Sequence, residues 1–244
     1  MKNELLEITK TETLKFINQF NERYNNKLKN FFYYPEVVRL SWFYKWLNKN
    51  KKDFYFSNIC VAGGNKTERE LQFLKFDNIF ELDIAFNDNF DLNLDIDIDQ
   101  KFDLVLCNQV MEHLHDPFKL IENLKKITKE NGYIFISVPQ FNNVHGESYR
   151  FYTSGYHIDF LFKCAEKNDL EVINYGEFGS AKNLMHTMAG DWLTYNKLRR
   201  GIRTRKDIFF PILTLTDGLD QHCKISNFLF KREFITDYWI MLKR

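Results

Sequence analysis

The sequence predicts an α/β fold, a mostly parallel sheet flanked by helices. Three observations carry that expectation. From Phe54 onward, short apolar runs alternate with longer segments of helical periodicity. Ile59-Cys60-Val61-Ala62 is apolar at every position, as in a strand covered by helices on both faces. Repeated strand–helix–strand units then imply parallel strands joined by right-handed crossovers.

Residues 1–50 read as helical. Leu5, Ile8, Leu14, Phe16, Ile17 and Phe20 recur at helix-like spacing. Phe31-Phe32-Tyr33-Tyr34-Pro35 interrupts them, a second helix-like segment reaches about Leu47, and Lys49-Asn50-Lys51-Lys52 reads as a polar linker. Ile59-Cys60-Val61-Ala62 is a strand ending in Gly63-Gly64. Glu68–Phe76 is helical, and Ile79–Ile84 and Phe102–Cys107 are strands. Asp116-Pro117 opens a helix, with Asp as N-cap and Pro at the first helical position. That helix runs to about Lys129 and stops at Asn131-Gly132, with Gly expected in the left-handed conformation. Tyr133–Val138 is a strand closed by Pro139, Ser154–Asn168 a helix, Glu171–Asn174 a strand and Phe234–Leu242 the final strand. About 60 residues of mixed helical pattern separate the last two strands. The expected organisation is an N-terminal helical arm or cap over 1–50 and a main domain over 51–244, with an insertion at about 178–234 lying over the active site.

Composition narrows the function. The 244-residue chain has a net charge of +1, so no global field directs it to nucleic acid or a membrane surface. No apolar run approaches the roughly 18 residues of a spanning helix. Met1-Lys2-Asn3-Glu4 does not open a secretory apolar stretch, and a cytoplasmic location is expected. Cys60, Cys107, Cys164 and Cys223 are scattered without a CxxC pair, so neither a zinc site nor a disulfide framework is expected.

In an open parallel sheet, ligands bind beyond the carboxyl ends of the strands. The residues just after each strand are therefore the candidates. Gly63 and Gly64 let the backbone approach a ligand closely and turn. Asp83, about 20 residues later, is suited to accept both hydroxyls of a ribose. Asp91-Leu92-Asn93 opens a run of acids alternating with apolar residues as far as Asp99. Asp95, Asp97 and Asp99 read as a charged edge strand. The run lacks the Gly turn and terminal Glu of a calcium loop.

The stretch from Phe102 is the most specific. Phe102-Asp103 opens an apolar strand to Cys107, followed by Asn108-Gln109, Glu112-His113 and Asp116-Pro117. A helix carrying Leu120, Leu124 and Ile127, a turn at Gly132 and a strand ending in Ser137-Val138-Pro139 complete it. This resembles class I S-adenosylmethionine-dependent methyltransferases of the type-11 family. His145-Gly146-Glu147-Ser148-Tyr149-Arg150-Phe151-Tyr152-Thr153 is similar to a segment of a subset found with bacterial surface-polysaccharide and capsule biosynthesis. The resemblance covers about residues 57–176. It implies a Rossmann-like class I methyltransferase fold with seven strands in the order 3-2-1-4-5-7-6, the last one, near Tyr238, antiparallel. It also implies S-adenosylmethionine as cofactor and S-adenosylhomocysteine as product; no metal cluster is visible in the sequence, so no metal is expected.

Position by position, the resemblance implies that Gly63 and Gly64, with Ala62 and Asn65 beside them, approach the methionine portion of the cofactor. Asp83 and Ile84 would meet the ribose, Asp91 and Leu92 the adenine, and Asn108 and Gln109 the sulfonium and acceptor. Cys60 stands at the family's acid position, Ala62 and Lys66 where two glycines usually lie, and Ser148 in place of an Asp. His145 is the candidate general base, because imidazole titrates near neutrality. Glu147 and Tyr149 are the fallback bases. Arg150 is suited to clamp an anionic acceptor bidentately or to pair with a core carboxylate. Glu112 reads as structural or as orienting cofactor or acceptor, and His113 as structural. Lys197, Arg199, Arg200, Arg203, Arg205 and Lys206 form a basic cluster, either a solvated face or a phosphate-recognition surface.

The expected activity is O-methylation of a sugar or phosphoryl group in a capsule or surface-glycan precursor. The acceptor would be a small molecule or glycan precursor, phosphorylated or nucleotide-linked. The alternatives are a methyltransferase for small metabolites or quinones, and a catalytically inactive methyltransferase-like binding subunit, which the altered glycine motif motivates. No nucleic-acid partner is expected, and the oligomeric state stays open.

Overall fold

The computed structural model describes residues 10–23, 34–50, 53–140, 152–179 and 235–244. Helices α1 and α2 span Lys10–Arg23 and Tyr34–Asn50. Strands β1 (Asn58–Ala62), β2 (Asn78–Leu82) and β3 (Phe102–Asn108) follow, then α3 (Pro117–Ile127), β4 (Thr128–Pro139), α4 (Ile158–Lys167), β5 (Glu171–Gly179) and β6 (Ile235–Lys243). Short 3-10 turns occupy Arg69–Phe73, Asp88–Phe90 and Met111–His113. The first of these takes the place of the helix expected over Glu68–Phe76.

The strands form one sheet in the order β2-β1-β3-β4-β6-β5. β1 runs parallel to β2 and β3, and β3 to β4. β6 enters antiparallel between β4 and β5. This is the expected order without its outermost strand, among the described residues, and the last strand is antiparallel as expected.

The missing element is the edge strand expected along the acid run. Residues 91–101 hold no strand because their polar groups are paired elsewhere. Asp91 accepts from the Asn93 backbone N–H at 2.9 Å, closing an Asx turn. Asn123 of α3 donates to the carbonyls of Leu92 and Leu94 and accepts from the Ile96 N–H. Lys126 donates to the Ile96 carbonyl at 2.7 Å. A helix side chain thus does the work of a neighbouring strand.

The α3 start is as expected. Asp116 accepts from the Lys119 N–H at 3.0 Å, and Pro117 is the first helical residue. Its end differs. α3 stops at Ile127 with Thr128 already extended, and Asn131, inside β4, rather than Gly132 takes the left-handed conformation, at φ +63°. Gly132 is needed for space instead: a Cβ there would lie 2.7 Å from Thr128 Cγ2 and 2.9 Å from the Lys129 carbonyl.

Alternation along each strand divides the core into two layers. Cys60, Ala62, Val105, Cys107, Ile134 and Ile136 face α3 and α4. Ile59, Val61, Leu104, Leu106, Phe135 and Trp239 face α2. Trp42 of α2 is fully buried, its ring 5.9 Å from Phe135 and 6.3 Å from Trp239. α2 is therefore a layer of the sheet's core, and the first residues of the main domain pack directly beneath it. Replacing a buried tryptophan by alanine removes its contacts and leaves a cavity. Trp42→Ala is expected to cost about 3–5 kcal/mol in urea unfolding; a loss below about 1 kcal/mol, the scale of a surface change, would contradict this packing.

Candidate functional site

Because β1 to β4 run parallel, their carboxyl ends share one edge of the sheet. The chain turns sharply there. Gly63 follows β1 with φ +72°, and its N–H donates to the Leu82 carbonyl at 2.7 Å. A Cβ on Gly63 would lie 2.5 Å from both methyls of Val110, so the turn after β1 is pressed against the segment after β3. Ala62, just before it, is buried in the α3/α4 layer. Asn65 closes the next turn by accepting from the Thr67 N–H at 2.8 Å. The Lys66 N–H donates to Glu81 of β2 at 2.7 Å, anchoring the loop to its neighbour.

Two carboxylates stand farther along the same edge. Asp83, just after β2, uses Oδ1 to accept from the Ala85 N–H at 2.9 Å. Asp91 uses Oδ1 to accept both the backbone and side-chain donors of Asn93. Among the described residues no donor reaches the second oxygen of either. Leu92 is buried beside Asp91, whereas Ile84, Phe86 and Leu94 expose 48%, 60% and 60% of their surface. Carboxylates interspersed with exposed apolar side chains suit a ligand with both hydroxyls and a flat apolar part.

A buried polar chain supports the edge from below. Arg39 of α2 donates through Nε to Glu70 at 2.8 Å and through Nη1 to Ser137 Oγ at 3.3 Å. Ser137 donates to Asn108 Oδ1 at 2.9 Å, and Asn108 Nδ2 donates to Glu68 Oε2 at 3.0 Å. Glu36 lies 3.8 Å from Arg39 and 3.3 Å from Arg69. Burial opposes the Arg39 charge, but the carboxylates around it outweigh that and raise its pKa. Burial, aided by the Glu70 charge, pushes Glu68 up to about 7 against the opposing effects of Arg39 and Asn108. The sequence reading missed Arg39, Glu68, Glu70 and Ser137. Its one available signal was a lone cation within the apolar run Val37–Leu40.

Glu112 lies in the turn after β3 and is fully buried. Among the described residues neither carboxylate oxygen has a hydrogen-bond partner, and the nearest cationic candidate, His113 Nε2, is 3.9 Å away. Burial first, and the Asp237 charge after it, raise its pKa to about 7 against the lowering effect of its own backbone N–H. Its carbonyl accepts from the Tyr152 N–H at 2.9 Å. Nearby, the Tyr156 hydroxyl donates to the Met111 carbonyl at 3.3 Å. The cysteines at the strand centres, Cys60 and Cys107, are buried and hold their thiols neutral.

The structure thus brings Ala62, Gly63, Gly64, Asn65, Asp83, Ile84, Asp91, Leu92, Asn108 and Gln109 to one edge. Gln109 adopts φ +55° immediately after β3. His145, Glu147, Tyr149 and Arg150 lie outside the described residues, as do the basic cluster from Lys197 to Lys206 and nearly all of the expected insertion. Among the described residues, no group of three His, Cys, Asp or Glu could hold a metal ion, and no helix is long and apolar enough to cross a membrane.

A profile described as a methyltransferase domain matches residues 39–175, more than half of the chain. The ubiquinone biosynthesis O-methyltransferase of Glaesserella parasuis serovar 5 (strain SH0165) is 42% identical over 38 residues, which span 16% of each chain. A solved structure from Galdieria sulphuraria, provisionally a sarcosine dimethylglycine methyltransferase, is similar with a TM-score of 0.51 and 12% identity, over 85% of this chain and 84% of that one. An S-adenosylmethionine-dependent methyltransferase from Clostridium acetobutylicum ATCC 824 gives a TM-score of 0.46 at 13% identity, over 93% and 98%. The Galdieria likeness shows the fold.

The Glu112 environment sets a pH dependence. A carboxyl whose pKa rises from about 4.5 to about 7 on folding favours the folded state below pH 4.5, and that contribution is lost as pH rises through 7. At 1.36 kcal/mol per unit the loss is about 3 kcal/mol. Urea unfolding at pH 5 and pH 8 should therefore show the native chain losing about that much relative to Glu112→Gln. Parallel stabilities at both pH values would mean that Glu112 finds a cationic partner in the folded protein.

Proposed function

The chain belongs to the methyltransferase-domain family, whose class I members are S-adenosylmethionine-dependent enzymes, and we propose that it methylates a hydroxyl of a sugar or phosphoryl group in a surface-glycan precursor. The carrying observation is the shared edge at which a left-handed glycine turn, two half-free carboxylates and Asn108 converge.

The residues present fit the cofactor. Gly63 and Gly64 let the backbone turn tightly after β1 against Val110 and Glu68, while Ala62 and Asn65 fix its ends. Asp83 keeps one carboxylate oxygen for ribose hydroxyls, beside Ile84. Asp91 and Leu92 flank the position for adenine, with an acceptor oxygen and an apolar wall. Bound there, S-adenosylmethionine supplies an electrophilic methyl group on a sulfonium. Asn108 and Gln109 border the position where methyl donor and acceptor meet. His145 removes the acceptor proton, with Glu147 and Tyr149 as its substitutes, a contribution of roughly 100- to 10,000-fold in such reactions. Arg150 orients an anionic acceptor through its two-pronged guanidinium. The basic cluster from Lys197 to Lys206 recognises the phosphate of a nucleotide-linked or phosphorylated acceptor.

The 38-residue likeness to a ubiquinone biosynthesis O-methyltransferase favours one second reading, a quinone-type phenol as acceptor. Both readings transfer a methyl group to oxygen, and they separate on the acceptor alone.

Calorimetric titration with S-adenosylhomocysteine should give micromolar binding, about −8 kcal/mol. Asp83→Ala should weaken it at least about tenfold, as loss of a charge-assisted hydrogen bond does. Absence of binding would move the chain to the inactive-subunit reading. With labelled S-adenosylmethionine, label should enter sugar phosphates or nucleotide sugars; label entering only polyprenyl phenols would replace the glycan acceptor with the quinone one.

A further inference from the structure

The polar chain beneath the site ends on a carboxylate that is half satisfied. Arg39 donates to Ser137, Ser137 donates to Asn108, and Asn108 donates to Glu68. A guanidinium can only donate, so the chain begins with Ser137 Oγ as acceptor. Ser137 Oγ accepts from Arg39 and donates to Asn108 Oδ1 at 2.9 Å, and Nδ2 of that amide faces Glu68 Oε2 at 3.0 Å. The last donor of the chain, Asn108 Nδ2, reaches only Oε2 of Glu68. Among the described residues Oε1 receives no donor.

Charge points the same way. The cluster holds Glu36, Glu68 and Glu70 against Arg39 and Arg69. Arg39 bonds Glu70 at 2.8 Å, and both arginines flank Glu36. Among the described residues Glu68 hydrogen-bonds only a neutral amide, with the Arg39 charge acting on it without a direct bond, and it is the carboxylate in excess. It is also the member that reaches the edge. Its Oε1 lies 3.0 Å from where a Cβ on Gly64 would sit, so it occupies the space that the glycine leaves open. Asn108, its partner, ends β3 next to β1. β1 itself contributes no charge, since Cys60, Val61 and Ala62 are buried and neutral.

A half-buried carboxylate with one unspent oxygen suits a primary ammonium, a compact cation that only donates. Resting on the cofactor reading of this edge, we propose that Glu68 binds the α-ammonium group of the methionine portion of S-adenosylmethionine. Glu68 balances the ammonium charge, Asn108 holds the carboxylate in place, and Arg39 holds Asn108 through Ser137. An amine on the acceptor has the same chemistry, and the probes below separate the two sources because they contain no acceptor.

The test is a four-way calorimetric comparison. S-Adenosylhomocysteine and its analogue with hydrogen in place of the α-amino group are each titrated into the native chain and into Glu68→Gln. The glutamine can still accept from Asn108, so the variant keeps the internal chain. The native chain should prefer the amino compound by roughly 10- to 100-fold. Glu68→Gln should erase most of that preference while binding the deaminated analogue as the native chain does. Equal binding of both compounds by the native chain overturns the proposal without using a variant. A preference retained in Glu68→Gln also overturns it, because other groups would then hold the ammonium. Equal weakening of both compounds makes Glu68 a support of the loop and overturns it as well. If the native chain binds neither compound, the cofactor reading fails and this proposal falls with it.

Discussion

A guanidinium buried beneath the sheet has to be surrounded by acceptors, and that requirement on Arg39 organises the carboxyl edge. An unpaired charge inside a protein costs several kcal/mol, so the cluster forms as a unit. Glu70 takes one face of the guanidinium and Ser137 another, and through Ser137 the orientation of Asn108 is set. Four segments far apart in sequence (α2, the turn after β1, the end of β3 and β4) are tied together by one cation. A polar chain of this kind adds little net stability over a packed apolar core. What it contributes is direction: each donor has one acceptor, and the side chains at the edge have one arrangement.

The two apolar layers make that arrangement possible. The parallel strands place their carboxyl ends together, and the aromatic layer of Trp42, Phe135 and Trp239 keeps α2 close enough for Arg39 to reach Ser137. On the other face, α3 holds the segment around Asp91 through Asn123 and Lys126. Glu112 is the counter-case, a buried carboxylate that no donor reaches among the described residues and whose pKa burial raises to about 7. The methyltransferase edge therefore carries two glutamates poised near neutrality for the same physical reason, burial, with different surroundings.

Much of the fold was legible in the sequence, since apolar strands and capped helices follow from local chemistry. The Asp116-Pro117 start of α3 and the antiparallel last strand are examples. The edge strand was not legible, because alternating Asp and Ile report a strand period but not that Asn123 would capture the carbonyls. Asn131 and not Gly132 is left-handed, because the sequence shows which residues tolerate such a turn and not which one faces crowded backbone. For the site, residues that directly follow strands were legible, as with Gly63, Asp83 and Asn108. Arg39, Glu68 and Glu70 were not, because their pairing spans 31 residues and depends on how α2 lies under the sheet.

The central claim is that one edge of this sheet is the cofactor site. Amide hydrogen exchange with and without saturating S-adenosylhomocysteine tests it most directly, because it reports where opening is suppressed. The account predicts slowed exchange in 63–68, 83–94 and 108–113, and no change along α4 and β5. Unchanged exchange at those turns, or protection confined to the far side of the sheet, would contradict it.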